Sequence, residues 1–328
     1  MIYQCRFNED PALYITQVEL TINHTLDIAR LRDAWQETVN AVLLLRAKLS
    51  TDSALGFRKD AEVIWKVKDF SSLANSKAKY LAFKRSDMRQ GIDLDAEVLH
   101  RFSVIKLGKE QFKLLWTHHH ILFDATSFMS VINDFLRAYI GVPDTISKLS
   151  SEMLDPTTCD SEYWEKQLNG MQGAEPLHLG CGGEAGLKSE AFQVSEAIGQ
   201  QLGTAAQEAG ITMNTVLQTA WGIVQAQYEN RNDITFGSIR AYPREQVHNK
   251  LGLHINALPV RLVIHGKYSF IALAKNVRLQ HQKHREQVST SLEKIRQCVK
   301  LQRNDQLFVV AFDYKTQSVA DLLSDVVT

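Results

Sequence analysis

Hydrophobic and polar residues alternate from Tyr14 to Ile22, with Val18, Leu20 and Ile22 on one face and Gln17, Glu19 and Thr21 on the other, which predicts a half-buried strand. The period then lengthens. Ile28, Leu31, Trp35, Val39 and Val42 recur at the spacing of one helical face, behind Asp27 as a capping residue. Val63, Trp65 and Val67 mark a second strand, and the polar stretch Ser71 to Arg89 a surface helix. Leu99 to Leu107 and Phe112 to His118 read as paired strands turning at Gly108. Phe128, Val131, Ile132, Phe135, Leu136 and Tyr139 form the buried stripe of a helix over Thr126 to Tyr139, which stops near Gly141 and Pro143.

From Gly141 to Gly186 the periodicity weakens and Pro, Gly, Ser and Thr accumulate, predicting a linker with one embedded helix, Ser161 to Leu168. A second run of elements follows. It opens with a strand near Ala191 to Val194 and a helix carrying Ile198, Leu202, Ala206 and Ala209 that stops at Gly210. Thr212 caps the next helix, which presents Val216, Leu217, Ala220, Val224 and Tyr228, and a strand spans Ile234 to Ile239. Leu253 to Ile264 is a long strand containing Pro259, which has no N–H for a neighbouring strand and so places it at an edge or between sheets. Ser269 to Lys300 is mostly helical, and Leu307 to Phe312 is a final buried strand. The pattern is α+β, in two halves, 1–150 and 151–328, with a ligand cleft between them.

Composition narrows the field. A length of 328 residues suffices for a large core and fits two lobes. Lys plus Arg and Asp plus Glu both number 37, so no global field attracts nucleic acid. Cys5, Cys159, Cys181 and Cys298 are scattered without a CxxC pair, which fits a reducing compartment, with the cytoplasm as the expected location. No apolar run approaches the roughly 18 residues of a membrane span, and the first residues lack a signal pattern.

Candidate chemistry concentrates between Trp116 and Ala125, where an apolar strand ends in His118, His119 and His120 and Asp124 follows. Imidazole is the side chain that titrates nearest neutrality, suited to carrying a proton or positioning a donor. Successive strand side chains point to opposite faces, so His118 and His120 share a side that His119 does not. Three such positions do not converge on a metal, and no other His, Cys or acidic set has ligand spacing. GxSxG, GxGxxG and GxxxxGK are all missing from the sequence. What remains is a histidine acting on a nucleophile supplied by a substrate, the logic of acyl transfer. Asp124 either caps the following helix or holds the histidine loop through a buried ion pair.

The run His119 to Asp124, HHILFD, resembles the HHxxxDG motif of nonribosomal peptide synthetase condensation domains, relatives of chloramphenicol acetyltransferase. Gly252 to Arg261, GLHINALPVR, is similar to their GxFVNTLPxR segment, and Tyr163 to Leu168, YWEKQL, to the helix that opens their second lobe. Phe236 and Gly237 resemble the strand before the Asn motif, and Leu307 to Tyr314 a family-like strand, so the likeness covers essentially the whole chain in family order. It implies two chloramphenicol-acetyltransferase-like lobes forming a pseudo-dimer with a central tunnel. The implied reaction joins an acyl or peptidyl thioester, held on a carrier protein's phosphopantetheine arm, to an acceptor amine. His120 is then the catalytic base or positioning group and His119 a structural support. Asp124 pairs with an arginine, Arg46 or Arg261, and Asn256 and His254 face the tunnel. The implied partners are donor and acceptor carrier proteins or adjoining synthetase modules, with no cofactor or metal bound directly.

Three departures qualify the likeness. Ala125 replaces the motif glycine, at a cost near 1 kcal/mol or more if the turn needs a positive φ. His254 replaces an aromatic residue, and of the family's RHExLRTxF segment only Arg46 survives. Family domains also begin before Met1 and run beyond Thr328, so a chain truncated at both ends is expected. The alternatives are an ester-forming, cyclising or epimerising relative, and an inactive scaffold that docks carrier proteins.

Overall fold

A computed structural model describes residues 5, 10–50, 55–142, 159–174, 190–247, 250–299, 301 and 305–315. These fall into two compact units, one holding the described residues up to Val142 together with Val247–His254, the other those of Leu154–Gln246 and Ile255–Thr316.

In the first unit, β1 (Ile15–Ile22) buries Val18 and Leu20, as its alternation predicts. Asp27 caps α1 (Ile28–Ala41), its carboxylate accepting from the Arg30 N–H at 3.0 Å. β2 (Ala47–Leu49) and β3 (Leu55–Phe57) pair antiparallel; at three residues each they are too short to show a period. β4 (Trp65–Asp69), α2 (Ser76–Gln90), β5 (His100–Gly108), β6 (Gln111–His119) and α3 (Ala125–Ile140) follow. The main sheet has the order β1-β6-β5-β4, antiparallel except for the parallel β5–β4 pair. β6 is therefore an inner strand, and it carries the histidines.

Helices α1 and α3 cover one face of this sheet. Trp35 of α1 sits at the centre, with ring centroids 4.7 Å from Phe102, 5.2 Å from Trp116 and 5.1 Å from Phe135. On the other face α2 packs Tyr80 against Ile105 and Leu115. That face also buries a polar network: Arg101 Nε donates to Asp87 Oδ1 at 2.7 Å, and Thr117 and Gln17 donate to Asp87 Oδ2 at 2.6 and 2.9 Å.

The second unit opens with α4 (Ser161–Leu168), whose bounds match those read from the sequence, followed by α5 (Glu196–Glu208) and α6 (Met213–Glu229), capped by Thr212 as predicted. Its sheet is β8 (Ile255–Val263), β7 (Asp233–Ala241) and β9 (Ala311–Phe312) in that order, backed by α7 (Phe270–Glu286), with α8 (Leu292–Gln297) beyond. Pro259 lies on the edge strand β8 opposite Gly237, where its missing N–H leaves no gap in a ladder. A Cβ on Gly222 of α6 would come within 2.7 Å of the Leu262 side chain, so glycine lets α6 close on the sheet. Two expectations fail. Residues 191–194 form no strand, leaving Phe192 91% exposed, and the final strand shrinks to Ala311–Phe312, paired with Gly237 and Ser238.

Candidate active site

β6 delivers its histidines to three environments. His118 points under α3, with its ring 4.5 Å from Trp116 and 5.9 Å from Phe128 between centroids. Its Nδ1 donates to the His119 carbonyl at 3.2 Å, and burial pushes its pKa down to about 3, so it stays neutral. His119 faces the opposite side. Its Nδ1 accepts from the Ile121 N–H at 3.1 Å, which leaves the proton on Nε2, 3.5 Å from Cys5 Sγ. Burial, then the neighbouring His120, pushes His119 down to about 4.

His120 lies one residue past β6 and is half-buried. Its backbone N–H donates to the Tyr14 carbonyl at 2.7 Å, and its ring Nδ1 has no hydrogen-bond partner among the described residues. Tyr14 itself holds a φ of 59°, a left-handed conformation that costs a non-glycine residue roughly 1 to 2 kcal/mol. Strain of that size persists where surrounding contacts impose it, and here it turns the Tyr14 carbonyl toward the histidine loop.

Residue type alone allows Asp124 two roles, and the structure gives it the cap plus a second partner. Its Oδ1 accepts from the Ser127 N–H at 2.8 Å, capping α3, and its Oδ2 accepts from the His254 N–H at 3.0 Å. The Asp124 N–H donates to the Gly252 carbonyl at 3.0 Å, and the Gly252 N–H to Ser127 Oγ at 3.1 Å. Three hydrogen bonds thus clamp the segment 252–254 to the histidine loop and the start of α3. Gly252 is required at this point, because a Cβ there would lie 2.9 Å from the His254 ring. His254 is 8% exposed, and burial lowers its pKa against the opposing pull of Asp124.

Among the described residues, Asp124 has no arginine partner. Arg46 Nη1 donates to the carbonyls of Arg58 and Lys59, both at 2.7 Å, anchoring the β2–β3 segment. Arg261 forms a two-pronged pair with Asp233, Nε to Oδ1 at 2.8 Å and Nη2 to Oδ2 at 2.7 Å. Backbone N–H groups supply what the arginine was expected to supply. Asn256 likewise holds its own unit together, its Nδ2 donating to the carbonyls of Val288 and Thr290 at 2.8 Å. Ala125 is the first residue of α3 and is not among the described non-glycine residues with positive φ, Tyr14 and Asn230, so the missing glycine costs this turn nothing. The N–H groups of Ile121 and Leu122 are committed within the loop and that of Asp124 to Gly252, so they do not serve as oxyanion donors in this conformation. Among the described residues no cluster of three or more His, Cys, Asp or Glu side chains is placed to hold a metal ion, and no helix is long and apolar enough to cross a membrane.

Asp124→Asn tests the clamp. The amide oxygen still caps α3, but its NH2 then meets the His254 N–H donor to donor, leaving a buried donor unsatisfied at about 1 to 3 kcal/mol. Thermal unfolding is expected to show Asn nearly as damaging as Ala at this position. A variant as stable as the parent would show the His254 bond to be dispensable.

The condensation domain model matches residues 1–325. A linear gramicidin synthase from Brevibacillus parabrevis is 22% identical over 352 residues, covering 99% of this chain and 4% of that protein. A plipastatin synthase from Bacillus subtilis (strain 168) is 27% identical over 286 residues, covering 80% of this chain and 11% of that protein. The chain thus spans a small part of the curated relatives it matches. Among solved structures, the X-domain from teicoplanin biosynthesis superposes with a TM-score of 0.75 at 17% identity, over 91% of this chain and 72% of that one. The first condensation domain of the calcium-dependent antibiotic synthetase, in complex with a substrate analogue, gives 0.70 at 16%, over 95% and 77%. The fold is theirs, and the chain belongs to the condensation domain family.

Proposed function

We propose that the chain catalyses condensation-type acyl transfer in nonribosomal peptide biosynthesis, joining a carrier-bound acyl or peptidyl thioester to an acceptor amine. One observation carries the reading: of three adjacent imidazoles, His118 is sealed in the core and His119 is bonded through both ring nitrogens, while His120 alone keeps part of its surface exposed, with a shielded Nδ1 that has no partner among the described residues. The thioester arrives on the phosphopantetheine arm of a carrier protein or adjoining module, which supplies the acyl group and the thiolate leaving group. His120 orients the amine and takes its proton as the nitrogen bonds to the carbonyl carbon. His119 and Asp124 hold the loop, and His254 and Gly252 brace it through Asp124.

An α-amino group with a pKa near 7.7 to 8.0 is already partly neutral at working pH, so an amine acceptor needs orientation more than deprotonation. A hydroxyl acceptor, as in an ester-forming relative, needs the base outright. Ala125, which together with the expected C-terminal truncation motivates the inactive-scaffold alternative, sits in ordinary helical backbone. The test is a single-turnover assay with donor acyl-carrier and acceptor, read by intact mass. His120→Ala is expected to slow product formation about 100-fold, toward the lower end of what acid–base groups contribute. Equal rates with and without the imidazole, or no product from the parent across a panel of donors and acceptors, would reject the reading.

A further inference from the structure

Among the described residues, two arginines pair their Nε–Nη2 edge with a carboxylate. Arg101 presents Nε and Nη2 to the two carboxylate oxygens of Asp87, and Arg261 does the same to Asp233. Arg240, near the end of β7, buries the same Nε and Nη2 atoms with no hydrogen-bond partner among the described residues. Its charged surroundings are of one sign. His281 and His284 of α7 and the exposed Arg285 lie within electrostatic range of it, and no carboxylate among the described residues contributes. His284 is 0% exposed, stacks on Trp164 with centroids 5.4 Å apart, and also lacks a partner at either ring nitrogen. His281 is held by the Gln218 amide oxygen at 3.0 Å.

A guanidinium taken out of water without a counter-charge is costly, and each shielded donor adds to that cost. The planar Nε–Nη2 fork matches a carboxylate's two oxygens, which is how this chain uses it at both other positions. We propose that the Nε–Nη2 edge of Arg240 is the binding site for a carboxylate carried by the acyl or aminoacyl substrate. The identity of the carrier group rests on the condensation reading above; the anion site itself does not. Arg240 pairs across the β7–β8 ladder with Asn256, within the second unit. Both nitrogens are shielded, so the ligand enters by displacing the side chains over them, and satisfying two buried donors favours that exchange.

The test is a titration of protein labelled with 15N-arginine, using glutarate, its neutral counterpart glutaramide, and inorganic phosphate. Glutarate is expected to shift the Nε–Hε signal of Arg240, identified by its loss in Arg240→Met, saturably. Glutaramide leaves that signal in place, and phosphate binds at least about tenfold more weakly. Without ligand, Arg240→Met is expected to melt no lower than the parent, because it removes two shielded donors that have no partner among the described residues. Glutarate binding equally well to the variant, phosphate binding more tightly than glutarate, or a variant that melts well below the parent would overturn the site. Binding is read without turnover, so it is judged apart from the reaction. Glutamyl and glutaminyl thioesters, offered in turn as donor and acceptor, then test the substrate class. A preference of about tenfold or more for the charged form in one position, collapsing in Arg240→Met, supports it, and equal use in both positions by an active parent overturns it. Absence of product with every pair counts against the condensation reading and leaves the titration standing.

Discussion

Replacing Asp87 with alanine is expected to lower the unfolding free energy by about 3 to 5 kcal/mol, a large share of the roughly 5 to 15 kcal/mol that holds a typical domain. Asp87 and Arg101 are 2% and 6% exposed, so the deletion strands a guanidinium in the core of the first unit. The carboxylate also joins three strands to a helix: Gln17 of β1, Thr117 of β6 and Arg101 of β5 all donate to it from beneath α2. An acidic residue in the last turn of α2 opposes the helix dipole, so its position reflects these partners rather than helix propensity. Burial works against its charge, yet the hydrogen bonds and charge of Arg101 hold its pKa below the ordinary value. Urea unfolding monitored by far-UV circular dichroism measures the loss. Restoration by the double variant Asp87→Leu with Arg101→Met would identify the stranded charge as its cause. A loss below about 1 kcal/mol in the single variant would show that water or a neighbour replaces the carboxylate.

Much of this architecture is readable from residue types, and what escapes has identifiable physical reasons. Periodicity finds α4, β5, β6 and α3, because each is long enough to present a face, and residue chemistry finds the caps at Asp27 and Thr212. It misses β2 and β3, which show no period, and it invents a strand at 191–194, where alternation has no partner to pair with. The site follows the same division. The HHxxxD run identifies the loop, but the partners of Asp124 are backbone N–H groups, which every residue type carries and no motif displays. The resemblance implies an arginine for Asp124, yet Arg261 takes a different carboxylate, Asp233 on the adjacent strand. Arg240 is invisible for the opposite reason: a strand-end arginine reads as exposed until its neighbours are known.

Lowering the pH from 7.5 to 5 is expected to cost the fold on the order of 10 kcal/mol, about 2 from each of five buried histidines, with the melting midpoint falling by roughly 10 to 20 °C. Burial pushes His100 and His119 down to about 4 and His118 and His281 to about 3, and it holds His284 well below its ordinary value. These rings stay neutral in the folded chain, while the unfolded chain takes up protons near pH 6.5. Between pH 6.5 and about 4 the unfolded state therefore binds more protons, and stability rises with pH. The contribution is complete above pH 6.5 and drains away as the pH falls toward the folded values. Carboxylates act later: burial opposes the charge of Glu19, but Lys113 and Lys84 hold its pKa at about 2, so its share is lost only below about pH 4.5. The two windows separate in melts recorded from pH 7.5 to 3 at constant ionic strength. His281→Gln keeps a donor for the Gln218 oxygen but cannot titrate, so it should recover about 2 kcal/mol of the loss at pH 5. A midpoint that moves by less than about 3 °C between pH 7.5 and 5 would mean that water reaches these rings and protonates them in the folded state.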